Sequence, residues 1–584
     1  MINTERRIPM KHISRFLTLL LVLMLLCSSA LAEVPSWLHV DQLPLTDEPV
    51  KLKIACLVHN NSTDPENSWT YEYIKQIMGI DIELEYFYSA SRNETLVMMM
   101  ADGTLPDMII ACSLSANELT KYGAVEGKLL DLRPYINEEN APNLTAIYAE
   151  HPEYLNELVT PDGAQYSIGY INENSFGTTC FNMFYNYDWL EACGLSVPTT
   201  LDEFMNMLRA FKKYGEEQGI EGVAPFGGNS GAFNCTYLIL NALGYDTSIN
   251  YGWRGSCDTN ICLRNGKIVM PAYDREVLPY YLNLLHTMYT EHLMEEDYYT
   301  LDIDTCKAHL AANRYGVFNI MPSIYTNIEQ GRSWFGIIPM TSEYSDTAFW
   351  PNYSMQTIGA FVVSADTKYP ELCVAFADHF YDPEYCQMFL NGYTGPSVNQ
   401  PELFLGKTTG WYYDPVNGII NDDYLAIKEK YQSYIFWRYD KLFLWGPGLF
   451  GVTRSLGPGV TKDENGNLFS AYEVVGKGDT IMEKARIRKD TTIATQQQGI
   501  ALYNCQSQYL IDEYTPTVCY FDEETTERID ELKTLVVEYA TKELAKFVIG
   551  TRDLSELDDY FAEMDKLGAA EYVQYYADYY ASTH

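Results

Sequence analysis

The chain has 584 residues, 47% hydrophobic and 20% charged, a balance that allows two or more packed cores and excludes a disordered chain. With 40 Lys and Arg against 79 Asp and Glu, the net charge of −39 repels nucleic acid and anionic lipid surfaces, and neither is expected as a partner. Tyrosine is in excess at 48 residues, and its flat apolar ring with a polar tip suits a wet, hydroxyl-rich ligand as well as ordinary packing.

The chain opens on a targeting pattern. Arg6, Arg7, Lys11 and Arg15 precede an apolar run from Phe16 to Leu26, and Ala30-Leu31-Ala32 supplies a small-x-small cleavage site before Glu33. Residues 1–32 are therefore expected to be a signal peptide, cleaved near Ala32, and the mature chain to be exported, extracellular or periplasmic. Cys27 is a weak site for a lipid anchor, because Leu26 stands where that signal needs a small residue. No later apolar stretch approaches the roughly 18 residues of a membrane span. Among the cysteines, Cys257 with Cys262 and Cys505 with Cys519 are close enough in sequence to pair, with buried free thiols the equal alternative.

KLKIACLV, ending at Val58, reads as a buried strand, Tyr71 to Ile77 as a helix and Ile80 to Phe87 as a second strand. Strand, helix, strand begins an α/β sheet, whose ligands lie beyond the carboxyl ends of the strands. The loop from His59 to Trp69 is thus a place to look. A helix ending at Ala101 and capped by Gly103 leads through Pro106-Asp107 into a strand at Met108 to Ala111, and the turn Thr160 to Gly163 leads into another. Cys180 to Asn186 is a further strand. Asn186 and Asp188 start a short helix stopped at Gly194, and Thr200 with Glu203 has the spacing of a capping box for a second helix. Phe204, Met207, Leu208 and Phe211 form its apolar face.

Downstream, Asn265-Gly266 makes a hairpin turn, Tyr280 to Leu293 a helix, and Gly316 to Phe318 a short strand. Ile358 to Ser364 is an apolar strand, followed by a helix with Leu372, Ala375, Phe376 and Phe380 inside. Asp463 to Asn467 reads as a hairpin turn, since its glycine is one place early for a calcium loop. Ile529 to Phe547 is a helix stopped by Gly550. A second runs from Leu554 to Leu567, and Tyr572 to Tyr580 begins a third.

Tyr185, Asn186, Asp188, Leu190, Gly194, Leu195, Pro198, Thr200 and Glu203 together resemble a motif of the extracellular solute-binding proteins that serve sugar-importing ABC transporters. The Pro106-Asp107 step, the run Gly127 to Ile136, Thr160 to Ile168, Tyr369 to Glu384, and the C-terminal helices resemble further elements of that family in the same order. The resemblance touches elements from about residue 50 to 580. It implies an α/β, two-lobe periplasmic-binding-protein-like fold, each lobe a sheet flanked by helices, with a ligand cleft between lobes. It divides the chain into residues 33–170 in lobe 1, 171–355 in lobe 2, 356–400 returning to lobe 1, and 401–584 mainly lobe 2 and C-terminal helices.

It also implies capture of a saccharide, an oligosaccharide by preference, and delivery to ABC-transporter permease subunits by a monomer with no cofactor or metal. Two alternatives stay open: a secreted carbohydrate-active enzyme using a carboxylate pair, and a sensory or scaffold relative without transport. No P-loop, GxGxxG, HExxH or G-x-S-x-G is present, so catalysis is not expected, and His379 reads as a packed helix residue. Aromatic platforms can stack on a pyranose while amides and hydroxyls take its hydroxyl groups. The expected ligand contacts are Trp69 and Ser113 after strands of the first lobe, Tyr170 and Asn172 at the first crossing, Asn229 and Trp253 in loops of the second lobe, and Trp350 and Tyr353 before the return strand.

Overall fold

The computed structural model describes residues 33–101, 103, 105–172, 183–246, 257–319, 322, 325–331, 333–351, 356–382, 411–414, 418–421, 444–445, 450–453, 460–462, 468–470, 506–511, 515–516 and 518–583. The signal segment, Cys27, Trp253, Tyr353 and most of 401–505 lie outside them.

In chain order the strands are β1 Val50–Val58, β2 Ile80–Tyr88, β3 Met108–Ile110, β4 Ile168–Asn172, β5 Met183–Asn186, β6 Cys262–Arg264 and β7 Lys267–Val269. They continue as β8 Val317–Asn319, β9 Trp334–Gly336, β10 Trp350–Pro351, β11 Gln356–Val363, β12 Trp411–Asp414 and β13 Gly418–Asn421. The last are β14 Val452–Thr453, β15 Val460–Lys462, β16 Leu468–Ser470 and β17 Leu510–Ile511.

Six strands form the first sheet in the order β14-β4-β11-β3-β1-β2. β1 is parallel to β2 and β3, with Ile54 opposite both Leu84 and Met108. Its inner residues Leu52, Ile54, Cys56 and Val58 are wholly buried, as a strand covered by helices requires. β11 runs antiparallel to β3 and β4, so β1, β3 and β4 all point one way. The return of β11 depends on Gly359, at φ +67 in a bulge between Thr357 and Phe361. A Cβ there would lie 2.2 Å from Leu114 O and 2.3 Å from Leu114 N, so only glycine fits without moving backbone.

The second sheet is β8-β5-β9, with β5 antiparallel to both neighbours. The helix Leu201–Glu217 buries Leu201, Phe204, Met205, Met207, Leu208 and Phe211. Its capping box closes one residue earlier than Thr200 and Glu203 alone imply. Thr200 Oγ1 accepts from Glu203 N at 3.2 Å, but the Glu203 carboxylate reaches back to Thr199 N at 2.8 Å. The reason is a ladder to the neighbouring segment: Leu201 N donates to Thr341 O and Thr341 N to Thr199 O, each at 3.0 Å. The helices Glu523–Ile549, Leu557–Lys566 and Ala569–Thr583 contribute Leu532, Val536, Phe547, Tyr560, Met564 and Tyr572 to this second core.

Chain passage between the sheets is interleaved. It leaves β4 at Asn172 and enters β5 at Met183, and it leaves β10 at Pro351 and enters β11 at Gln356. Leu444, Trp445 and Phe450 pack in the first core and β14 pairs with β4. The first lobe therefore reclaims a piece of the stretch read as mainly second lobe, because apolar residues of that piece complete the far edge of the sheet. β15 and β16 pair antiparallel, while the turn read at Asp463 to Asn467 lies outside the described residues. The pairs Cys257–Cys262 and Cys505–Cys519 are not formed, since Cys262 and Cys519 are free thiols. Cys262 is buried in the second core, where desolvation pushes its thiol well up, and burial pushes Cys519 up to about 12. No helix among the described residues is long and apolar enough to cross a membrane.

Candidate ligand-binding site

Because β1, β3 and β4 run together, their carboxyl ends share one edge of the first sheet with the start of β11. The loops at that edge are held by side chains rather than left to solvent. After β1, Ser62 N donates to His59 O at 2.8 Å and Tyr88 Oη at the end of β2 donates to Ser62 O at 3.1 Å. Burial holds the His59 imidazole below its usual range, disfavouring its charged form. Ser68 then caps the helix Trp69–Gln76 by accepting from Tyr71 N.

After β3 the chain turns sharply, with Ala111 at φ +63 and Ser113 at φ +48. Left-handed backbone at non-glycine residues is sparsely populated and clusters where ligands are held. Arg92 keeps this turn in place. Its guanidinium donates to Cys112 O and Ser113 O, each at 3.2 Å, and forks onto Glu118 at 2.5 and 2.8 Å. Burial pushes the Glu118 carboxyl up, but hydrogen bonds from Arg92 and Ser115 outweigh it and hold it below the ordinary range. At the third strand of the edge, Tyr170 is buried, Asn172 is half-buried at the last position of β4, and Gln356 Nε2 donates to Tyr154 O at 2.9 Å.

On the second sheet, Met183 pairs with Asn319, so the edge where the chain arrives is the carboxyl end of β8. Asn319 Nδ2 donates to Asn234 O at 2.8 Å. The loop carrying Asn234 is built from its own amides: Asn229 Oδ1 accepts from Gly231 N and Phe233 N at 3.1 and 3.0 Å, and Asn229 Nδ2 donates to Leu301 O at 3.0 Å. Gly228, at φ +103, brings its Cα against Phe233 O, where a Cβ would lie at 2.0 Å.

The residues read from the sequence fall into three groups. Ser113, Tyr170 and Asn172 converge on the crossing-side edge of the first sheet. Trp69 and Trp350 are 1% and 0% exposed in the two cores, Trp69 stacked on Tyr73 at 5.4 Å, and Asn229 is 4% exposed with its amide committed to its own loop. Their placement gives these three packing and loop-holding work. Trp253 and Tyr353 are outside the described residues. Sequence reasoning missed Arg92 and Asn319. An arginine in the first helical turn after β2, on a chain so acidic, is the signal that could have drawn attention to the first; nothing local marks the second. His379 is half-buried, takes a 2.9 Å hydrogen bond with Tyr73 Oη, and is held down at about 4 by desolvation. No three His, Cys, Asp or Glu among the described residues are grouped to hold a metal. A separate cavity of about 440 Å³ opens in the second lobe, lined by Asp246, Asn265, Glu343, Tyr344 and Ile511 among others.

Two sheets with separate cores, joined by repeated crossings and presenting loop-built edges where the chain passes between them, define a two-lobe ligand-holding protein. Residues 69–400, more than half of the chain, match the family of bacterial extracellular solute-binding proteins, and the chain belongs to that family. It is 29% identical over 154 residues to the fructooligosaccharide ABC transporter substrate-binding protein FusA of Streptococcus pneumoniae, a match covering 26% of this chain and 28% of that one. The match thus spans under a third of that curated relative's length. The solved structure of S. pneumoniae FusA in complex with kestose superposes over 91% of this chain and 99% of that one, with TM-score 0.62 and 18% identity. An HMO-binding, ABC-transporter-associated solute-binding protein of Bifidobacterium longum infantis superposes over 91% and 99%, with TM-score 0.65 and 17% identity.

Proposed function

We propose that this protein captures an oligosaccharide between its two lobes outside the cell and delivers it to the permease of an ABC importer. The observation that carries this reading is the co-extension of the whole two-lobe fold with solved proteins whose names state such ligands, FusA with kestose and the HMO-binding protein. The family is one of binding proteins, and the edge geometry suits binding: hydroxyl and amide groups on loops immobilised by Arg92, Tyr88 and the Asn229 network. Residues 1–32 direct export, and the lobes divide near residues 170 and 355, with residues near 450 again part of the first lobe.

In this mechanism Ser113, Tyr170 and Asn172 offer one face to the ligand and the second-lobe loop braced from within by Asn229, Asn234 and Asn319 the other, with Trp253 and Tyr353 as aromatic platforms. Ligand favours the closed form only through contacts made to both faces at once. A micromolar dissociation constant corresponds to about 8 kcal/mol, which has to exceed the desolvation of its hydroxyls and the ordering of the hinge. Isothermal titration of the mature chain against kestose and a panel of human-milk, fructan and N-glycan oligosaccharides tests the reading. Saturable binding of at least one is expected, and a folded protein that gives no heat with any of them refutes it. Loss of uptake of that sugar in a permease-deletion strain separates transport from a sensory or scaffold role.

A further inference from the structure

Tyr520 and Phe521 are neighbours in the chain, yet they pack in different lobes. Val518 and Tyr520 lie against the first core and Phe521 against the second. Upstream, Thr515 is fixed to the second lobe, its Oγ1 donating to Asp246 at 2.7 Å and accepting from Leu263 N at 3.0 Å. The segment therefore leaves the second lobe after Thr515, touches the first at Val518 and Tyr520, and returns at Phe521. Tyr520 Oη donates to Glu157 O at 2.8 Å, on the first-lobe helix Tyr154–Leu158.

The return is gripped by the C-terminal helix. The Phe521 ring meets Tyr576 edge-on at 5.5 Å and Tyr579 tilted at 5.4 Å. Tyr579 also meets the backbone of Tyr520 and the field of Glu157, so it sits at the junction of both lobes. The helix is itself fixed to the second lobe. Tyr572 is buried in that core, and Arg528 on the preceding long helix forks onto Glu571 with two bonds of 2.9 Å. A rotation of one lobe against the other that backbone torsions between Tyr520 and Phe521 do not absorb strains the Tyr520 bond or draws Phe521 from between its two tyrosines. Packed aromatic seats have discrete rather than graded arrangements, so this junction favours particular angles over a continuum.

We infer that the C-terminal helix Ala569–Thr583 is a clamp on this crossing and that Phe521, seated against Tyr576 and Tyr579, is a positioning residue for the resting angle between the lobes. The inference rests on the reading that the lobes move relative to one another, and its test is free of ligand. Donor and acceptor dyes are placed by unnatural amino acids at the exposed Glu85 and Glu538, one on each lobe, in the full mature chain. Single-molecule transfer efficiency is then recorded without saccharide.

A single narrow distribution is expected for the unsubstituted chain. Phe521→Ala shifts and broadens it, and Tyr520→Phe, which keeps the ring and removes only the bond to Glu157 O, shifts it in the same direction by less. Circular dichroism confirms the fold of each variant. Should Phe521→Ala not fold, Tyr520→Phe decides alone. Folded variants with the unsubstituted distribution overturn the clamp. A chain that shifts in this assay yet binds no saccharide sustains the clamp while refuting the transport reading.

Discussion

Asp378 offers a test whose size and sign follow from its surroundings. It is 2% exposed on the helix Pro370–His379, and its carboxylate accepts from Leu144 N at 2.7 Å, Asn143 N at 3.2 Å and Asn143 Nδ2 at 2.9 Å. It thereby caps the helix Pro142–Glu150, whose own N-cap position, Ala141, has no side chain able to do so. Burial pushes the carboxyl up from 3.8 to about 6, against the pull of those three hydrogen bonds. A folded value above the unfolded one means that this group's stabilisation is full below pH 3.8 and is lost as pH rises through 6. Between pH 4.5 and pH 8 the loss amounts to about 2 kcal/mol. Asp378→Asn keeps an acceptor for Leu144 N and cannot ionise. Urea denaturation of both proteins at the two pH values should therefore show the variant gaining about 2 kcal/mol on the parent as pH rises. Parallel stabilities at both pH values would refute the reasoning.

Three further outcomes are expected. Gly359→Ala places a methyl into Leu114 backbone at left-handed φ and should cost upwards of about 2 kcal/mol, read as a lower urea midpoint; an unchanged midpoint would mean that the bulge relaxes freely. Trp69→Ala, emptying a site in the first core, should cost about 3 to 5 kcal/mol of stability, and a fully stable variant with lowered saccharide affinity would instead restore Trp69 as a contact. Alkylation of the denatured, unreduced protein should label Cys56, Cys112, Cys193, Cys235, Cys262, Cys306, Cys373 and Cys519, and a disulfide-linked peptide containing any of them contradicts the packing described.

Much of the architecture could be read from local chemistry. Periodicity identified β1, β2 and β11 because each is apolar where it is covered, and the caps at Asn186 and Thr200 are true to their side-chain types, accepting from Trp189 N and Glu203 N. What local pattern could not carry was long-range pairing. That β11 lies between β4 and β3, that residues near 450 finish the first sheet, and that Tyr520 and Phe521 part company all depend on partners far away in sequence. The site shows the same division. A strand end is visible in sequence, so Ser113 and Asn172 could be proposed, whereas Arg92 acts through carbonyls twenty residues on, a contact created only by folding. Trp69 and Trp350 lie in the cores for a physical reason that sequence does not resolve: the ring area that would stack on a sugar is the same area that a core buries.

The insertion of β11 between β3 and β4 also sets a timetable. The first lobe cannot complete its sheet, nor Asp378 reach Asn143 across 235 positions, until the intervening second-lobe sequence has been made. At roughly 5 to 20 residues per second that is an interval on the order of 10 to 50 s during which the first sheet stays incomplete. Completion of the first lobe is therefore a late event in the synthesis of the chain, set by strand order rather than by local sequence.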